Sequence, residues 1–113
     1  MEWIVSFHVM TKGEDNMDLN IPMKYKKDLN TAIDILKKEG CTSIYLFGSL
    51  VTGKIHNNSD IDLGVKGLAK EKFLDVFSKA YFDYDTKIDL VDFDHNKDLF
   101  LLLERLGEVV EVG

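Results

Sequence analysis

The run FGSLVTGKIHNNSDIDLGV, Phe47 to Val65, decides how this chain is read. It leaves an apolar segment, Ile44 to Phe47, at Gly48-Ser49, and ten residues later it writes Asp60-Ile61-Asp62 into a second apolar segment. Carboxylates in a stretch that otherwise reads as buried strand are destabilising unless something pairs with them. Residues two apart on a strand share a face, so Asp60 and Asp62 project together while Ile61 and Leu63 turn to the core. Side by side, two carboxylates repel, and each raises the other's pKa unless a cation intervenes.

Oxygen-only ligands of this kind suit Mg²⁺, which takes one or two carboxylates together with waters and phosphate oxygens. A third carboxylate, Asp89, stands in KIDLVDF between Ile88 and Leu90, and it completes the cluster if that strand lies beside the first. At the other end of the opening run, Gly48-Ser49 ends a strand and opens a short helix. Glycine lets a backbone approach a phosphate closely, and the free N–H groups of a helix start favour anions. The Ser49 hydroxyl can cap that helix or bond a phosphate oxygen. An Asp-x-Asp pair alone is ordinary in solvated turns, and a lone Gly-Ser is more so. The specific signal is their combination with strand context and a later Asp in an apolar strand. That layout suits a metal-bound nucleoside triphosphate.

Outward from this run, the periodicity is clear. Trp3, Val5, Phe7 and Val9 alternate with polar positions, TKGEDN supplies turn residues, and Met17, Leu19 and Ile21 alternate again, which predicts a β-hairpin. Pro22 suits the first turn of a helix, in which Tyr25, Leu29, Ala32, Ile33 and Leu36 fall at helical spacing before a stop at Gly40. SIYLF and DIDLGV read as strands, the second with Ile61, Leu63 and Val65 on one face. Phe73, Val76, Phe77, Ala80 and Tyr81 give an amphipathic helix. KIDLVDF is a third strand, and Leu99, Leu102, Leu103 and Leu106 define a last helix whose stripe belongs to the core or to a partner interface. EVVEV closes as a short strand. The fold class is α/β (α+β), a small mixed β-sheet with helices packed against it. Residues 1–22 form an added N-terminal hairpin and 23–113 the main unit, within one domain.

The chain has 113 residues, 45% of them hydrophobic and one a proline, as expected of one packed domain with a single core. Fourteen Lys plus Arg against twenty Asp plus Glu leave a net charge of −6, which argues against a nucleic-acid groove. The single Cys41 permits no internal disulfide and reads as a buried structural thiol in a reducing compartment. No window reaches the ~18 apolar residues of a membrane span, and the start carries no basic leader, so the expectation is a cytoplasmic protein. His8 and His56 read as surface and solvated-loop residues, and His95 as part of a helix start. Asp92 falls on the opposite strand face from Asp89.

GSLVTGKIHNNSDIDLGV resembles the signature of the DNA polymerase beta-type nucleotidyltransferases, and the chain's length resembles that of their minimal members. The likeness extends from about Met23 through Gly113 and leaves the hairpin unmatched. It implies a polymerase-beta-like fold in which Gly48 and Ser49 hold the triphosphate of ATP or another nucleotide. Asp60 and Asp62 then bind Mg²⁺, with Asp89 as third acidic residue, orienting or deprotonating the attacking hydroxyl. It also implies a role, since many minimal members are antitoxins that transfer AMP to a tyrosine of a helical HEPN-domain toxin. Family members often carry arginines where this chain has Thr52 and His56, and Lys54 is the only cation between them. The readings that follow are transfer of a nucleotide to a partner protein, a catalytically weak antitoxin acting by binding alone, and transfer to a small molecule such as an aminoglycoside. The last typically needs a further domain.

Overall fold

The computed structural model describes residues 4–10, 16–55, 60–82 and 87–113, with side chains described over 20–55, 60–78 and 87–113. Strands β1 (Ile4–Met10) and β2 (Asn16–Pro22) pair antiparallel from Ile4↔Pro22 to Met10↔Asn16 and form a two-stranded sheet. The expected hairpin is therefore present, while Trp3 and the turn residues 11–15 lie outside the described residues. Pro22 precedes the helix rather than entering its first turn. Its ψ of 140° is extended, and it closes the β2 ladder at its end, where a missing N–H is tolerated.

Helix α1 (Met23–Lys38) buries Tyr25, Leu29, Ala32, Ile33 and Leu36, the five positions its periodicity marks, and gives way to a turn at Glu39 and Gly40. Lys37 and Lys38 in its last turn complement the helix dipole. Four further strands follow: β3 (Ser43–Phe47), β4 (Ile61–Lys66), β5 (Ile88–Asp92) and β6 (Val109–Glu111), joined in the order β5-β4-β3-β6. β3 is antiparallel to both β4 and β6, and β4 is parallel to β5, so the sheet is mixed as expected. The parallel pair requires a crossover, which helix α3 (Lys70–Phe82) supplies. A single turn, α2 (Ser49–Thr52), links β3 toward β4, and α4 (Lys97–Leu106) precedes β6.

Strand alternation divides the sheet into two faces. Ile44, Leu46, Ile61, Leu63, Val65, Ile88 and Leu90 are buried and merge with the apolar side of α1 into one core. Tyr45, Phe47, Asp62, Gly64, Lys66 and Asp89 share the other face by strand parity. Phe93, fully buried, lies against that second face at Gly64, where any Cβ would collide with its ring. Phe100 of α4 packs 5.2 Å from Phe93 and 4.9 Å from Tyr45, centroid to centroid, and Lys66 Nζ stands 3.7 Å from the Phe100 centroid.

On two helices the predicted apolar stripe is only partly buried, which for α4 removes the core alternative and leaves the partner interface. On α4 the buried contact is Phe100, whereas Leu102 and Leu106 are 50% and 57% exposed and Leu99 also faces solvent. Phe93 fills the floor left by Gly64, the Phe100 ring packs on Phe93 and Tyr45, and the leucines are carried to the outside by the turn of the helix. On α3, Val76 is buried but Phe77 is exposed, and the side chains of Ala80 and Tyr81 lie outside the described residues. No described helix is long and apolar enough to cross a membrane.

At the far end of the sheet a polar turn ties β5 to β4. Asp92 accepts from the Asp94 N–H at 2.9 Å and pairs with His95 Nδ1 at 2.7 Å, and Asn96 Nδ2 donates to the Asp92 carbonyl. Asp94 in turn accepts from the Gly67 N–H at 2.8 Å. His95 thus belongs to this turn, just before α4, and Asp92 is committed to it, away from Asp89.

Candidate active site

The opposite end of the sheet carries the residues that the sequence singles out. β3 runs toward it and β4 and β5 run away from it, so the end of β3 meets the starts of the other two. Phe47, the last residue of β3, pairs with Asp62, and Asp62 pairs across to Asp89. Gly48 follows with φ 80° and ψ −151°, a backbone conformation that L side chains rarely adopt. A Cβ at Gly48 would also collide with the Asp62 carboxylate. The conformation therefore demands glycine there, the close approach adds to that demand, and the glycine loop is brought directly against the Asp62 carboxylate.

Ser49 opens α2, which is anchored by the buried Leu50. The Gly48 carbonyl accepts from the Val51 and Thr52 amides, and the Ser49 carbonyl from Gly53. The first N–H groups of such a turn have no acceptor within it. Thr52 and Lys54 are exposed, and His56 lies outside the described residues.

Asp60 stands just before β4 instead of within it. Pairing starts one residue later, where the Ile61 N–H donates to the Lys87 carbonyl at 3.0 Å. Asp60 is therefore at the rim, while Asp62 is set deeper. Burial, then the nearby charges of Asp89 and Asp60, push the Asp62 carboxyl from its ordinary 3.8 up to about 6, with Lys87 opposing. Lys87 escaped the sequence reading. Its ammonium lies 3.8 Å from Asp60 Oδ2 and 3.6 Å from Asp89 Oδ1. The available signal was parity, since a lysine two residues before Asp89 in one strand shares its face.

The donor chemistry of this cluster fits a hard divalent cation: three carboxylates, one of them disfavoured as an anion, and a positive charge already drawn to the other two. As the side chains lie, no three His, Cys, Asp or Glu among the described residues gather closely enough to hold an ion. Cys41, half-buried, has its thiol pushed up to about 11, chiefly by burial, and is an inert structural residue.

The chain is thus an α+β fold whose four-stranded mixed sheet presents a glycine turn and three carboxylates at one end. The chain belongs to the family "Polymerase beta, Nucleotidyltransferase", which it matches over residues 30–109. Two solved structures are similar to it. One, a toxin-antitoxin with AMP-PNP, has a TM-score of 0.59 and 28% identity over 74% of this chain and 71% of that one. The other, a mutant of the toxin-antitoxin MntA-HpeT with two Asp-to-Glu changes, has a TM-score of 0.58 and 26% identity over the same shares of the two chains. No curated protein is significantly similar to the chain.

Proposed function

We propose that this chain is a Mg²⁺-dependent nucleotidyltransferase that moves AMP from ATP to a hydroxyl of a partner protein, as the antitoxin of a pair whose toxin is a HEPN-domain protein. The observation that carries the reading is the seat of Gly48 on Asp62, which brings an anion-binding turn against a carboxylate in register with Asp89. Support for the nucleotide and the partner comes from the similar toxin-antitoxin structures, one of them with AMP-PNP. In the MntA-HpeT mutant the two Asp-to-Glu changes lie two positions apart, the spacing of Asp60 and Asp62.

In this reading Gly48 and Ser49 hold the triphosphate and Asp60, Asp62 and Asp89 hold the metal. When bound, the metal neutralises phosphate charge and stabilises the leaving pyrophosphate. Asp89 accepts the proton of the acceptor hydroxyl. That oxygen forms a bond to the α-phosphorus as the α–β phosphoanhydride bond breaks and pyrophosphate departs. The protein contributes mainly position and charge. Residues 1–22 are an extension to the catalytic unit 23–113, and its hairpin is a candidate docking surface for the partner.

Co-expression with the neighbouring gene product, followed by intact-mass measurement of both chains after Mg²⁺ and ATP, tests the reading. AMP added to the partner, and lost in Asp62→Asn, is the expected result. A stable complex with no added mass supports the binding-only antitoxin. Neither complex nor modification returns a small-molecule acceptor to the front.

A further inference from the structure

Lys87 touches the carboxylate cluster, and the nucleotidyl-transfer reading leaves it without a task. Its backbone is fixed, because its carbonyl accepts from Ile61 at the point where β4 and β5 begin to pair. Its side chain shares the face of Asp89, two residues on, and reaches both Asp89 and Asp60, on two different segments. All three side chains are partly exposed, Lys87 by 52%, Asp60 by 35% and Asp89 by 41%, so none is locked in place by packing. The ammonium bridges two of the three carboxylates assigned to the metal, and the three side chains do not gather to hold an ion as they lie.

We propose that Lys87 is a tethered counter-ion that takes the metal's place between Asp60 and Asp89 in the resting protein and must be displaced before a divalent cation can bind there. A divalent cation drawn between Asp60 and Asp89 meets the ammonium's like charge there, so the two cations compete for the same pair of carboxylates. The consequence is that bare metal binds weakly. Metal that arrives with a triphosphate brings additional ligands and displaces the lysine more readily. Lys87 acts here through the carboxylates and is a positioning residue. The inference rests on the assignment of Asp60, Asp62 and Asp89 as metal ligands.

The test is Mn²⁺ binding without nucleotide, followed through the electron paramagnetic resonance of the free ion. Mn²⁺ suits the same carboxylate and water ligands as Mg²⁺. Lys87→Met should bind Mn²⁺ about three- to ten-fold more tightly than the wild type, the scale set by two half-exposed ion pairs. Lys87→Arg, which keeps the charge, should bind as the wild type does. Lys87→Gln provides the same comparison if the Met variant folds poorly. Equal or weaker binding by both neutral variants overturns the role of Lys87 and leaves the metal site standing. If Asp60→Asn and Asp62→Asn bind Mn²⁺ as the wild type does, the metal lies elsewhere and the inference falls together with the site assignment.

Discussion

Asp62 and Gly48 are best understood as one unit, each fixing what the other can be. Because the Asp62 pKa, about 6, stands above its ordinary 3.8, the folded chain keeps a proton between those values that the unfolded chain has released. This contribution to the stability of the metal-free protein is therefore greatest below about pH 4 and is lost as pH rises through 6. Chemical denaturation of wild type and Asp62→Asn at stepped pH should show that slope in the difference between them. At pH 7 the Asn variant should be the more stable by about 1 kcal/mol, a figure reduced for solvent screening at a partly exposed group. Gly48→Ala should be destabilised by about 2–3 kcal/mol, from both the left-handed backbone and the collision. Pairing it with Asp62→Ala should recover about 1 kcal/mol, the collision alone, in a double-mutant cycle. Of this pair the sequence revealed identity and spacing. It did not reveal that the glycine touches the aspartate, because register between β3 and β4 is a property of two strands together. Lys87 went unread for the same reason, since its partner Asp60 is distant in sequence.

Among the elements, α1, β3, β4 and β5 were legible because each buries a periodic face in one core. α4 was legible as a helix but not in the residue it buries, because its leucine stripe outweighs in hydrophobicity the one aromatic that touches the sheet. That difference is measurable. Phe100→Ala should cost about 3 kcal/mol, since it empties a place against Phe93 and Tyr45. Leu102→Ser and Leu106→Ser, on exposed positions, should each stay within about 0.5 kcal/mol of wild type. If the Leu variants are as damaging as Phe100→Ala in thermal or denaturant melts, the stripe is structural after all. Asp60 marks the smaller kind of miss, a boundary shifted by one residue, because the ladder begins only where Lys87 offers its carbonyl.

For the molecule as a whole, a mixed sheet was readable from element order, but its strand sequence β5-β4-β3-β6 was not, since single-chain periodicity carries no pairing information. That order places the carboxylate end of β4 and β5 at the exit of β3, and the Asp92-Asp94-Gly67 turn at the other end. The two ends of the same sheet are thus held by opposite means. One is clasped by hydrogen bonds, and the other is loaded with like charge moderated, among the described residues, by the Lys87 ammonium. Thermal fluctuation should accordingly have a direction. In amide hydrogen–deuterium exchange of the metal-free protein, protection should fall along β4 from Val65 toward Ile61, as the strands splay from the acidic end. Addition of Mg²⁺ with a non-hydrolysable ATP analogue should flatten or invert that gradient while leaving the clasped end unchanged. Such a gradient would make the sheet a hinge without a hinge sequence, a book bound along its far edge.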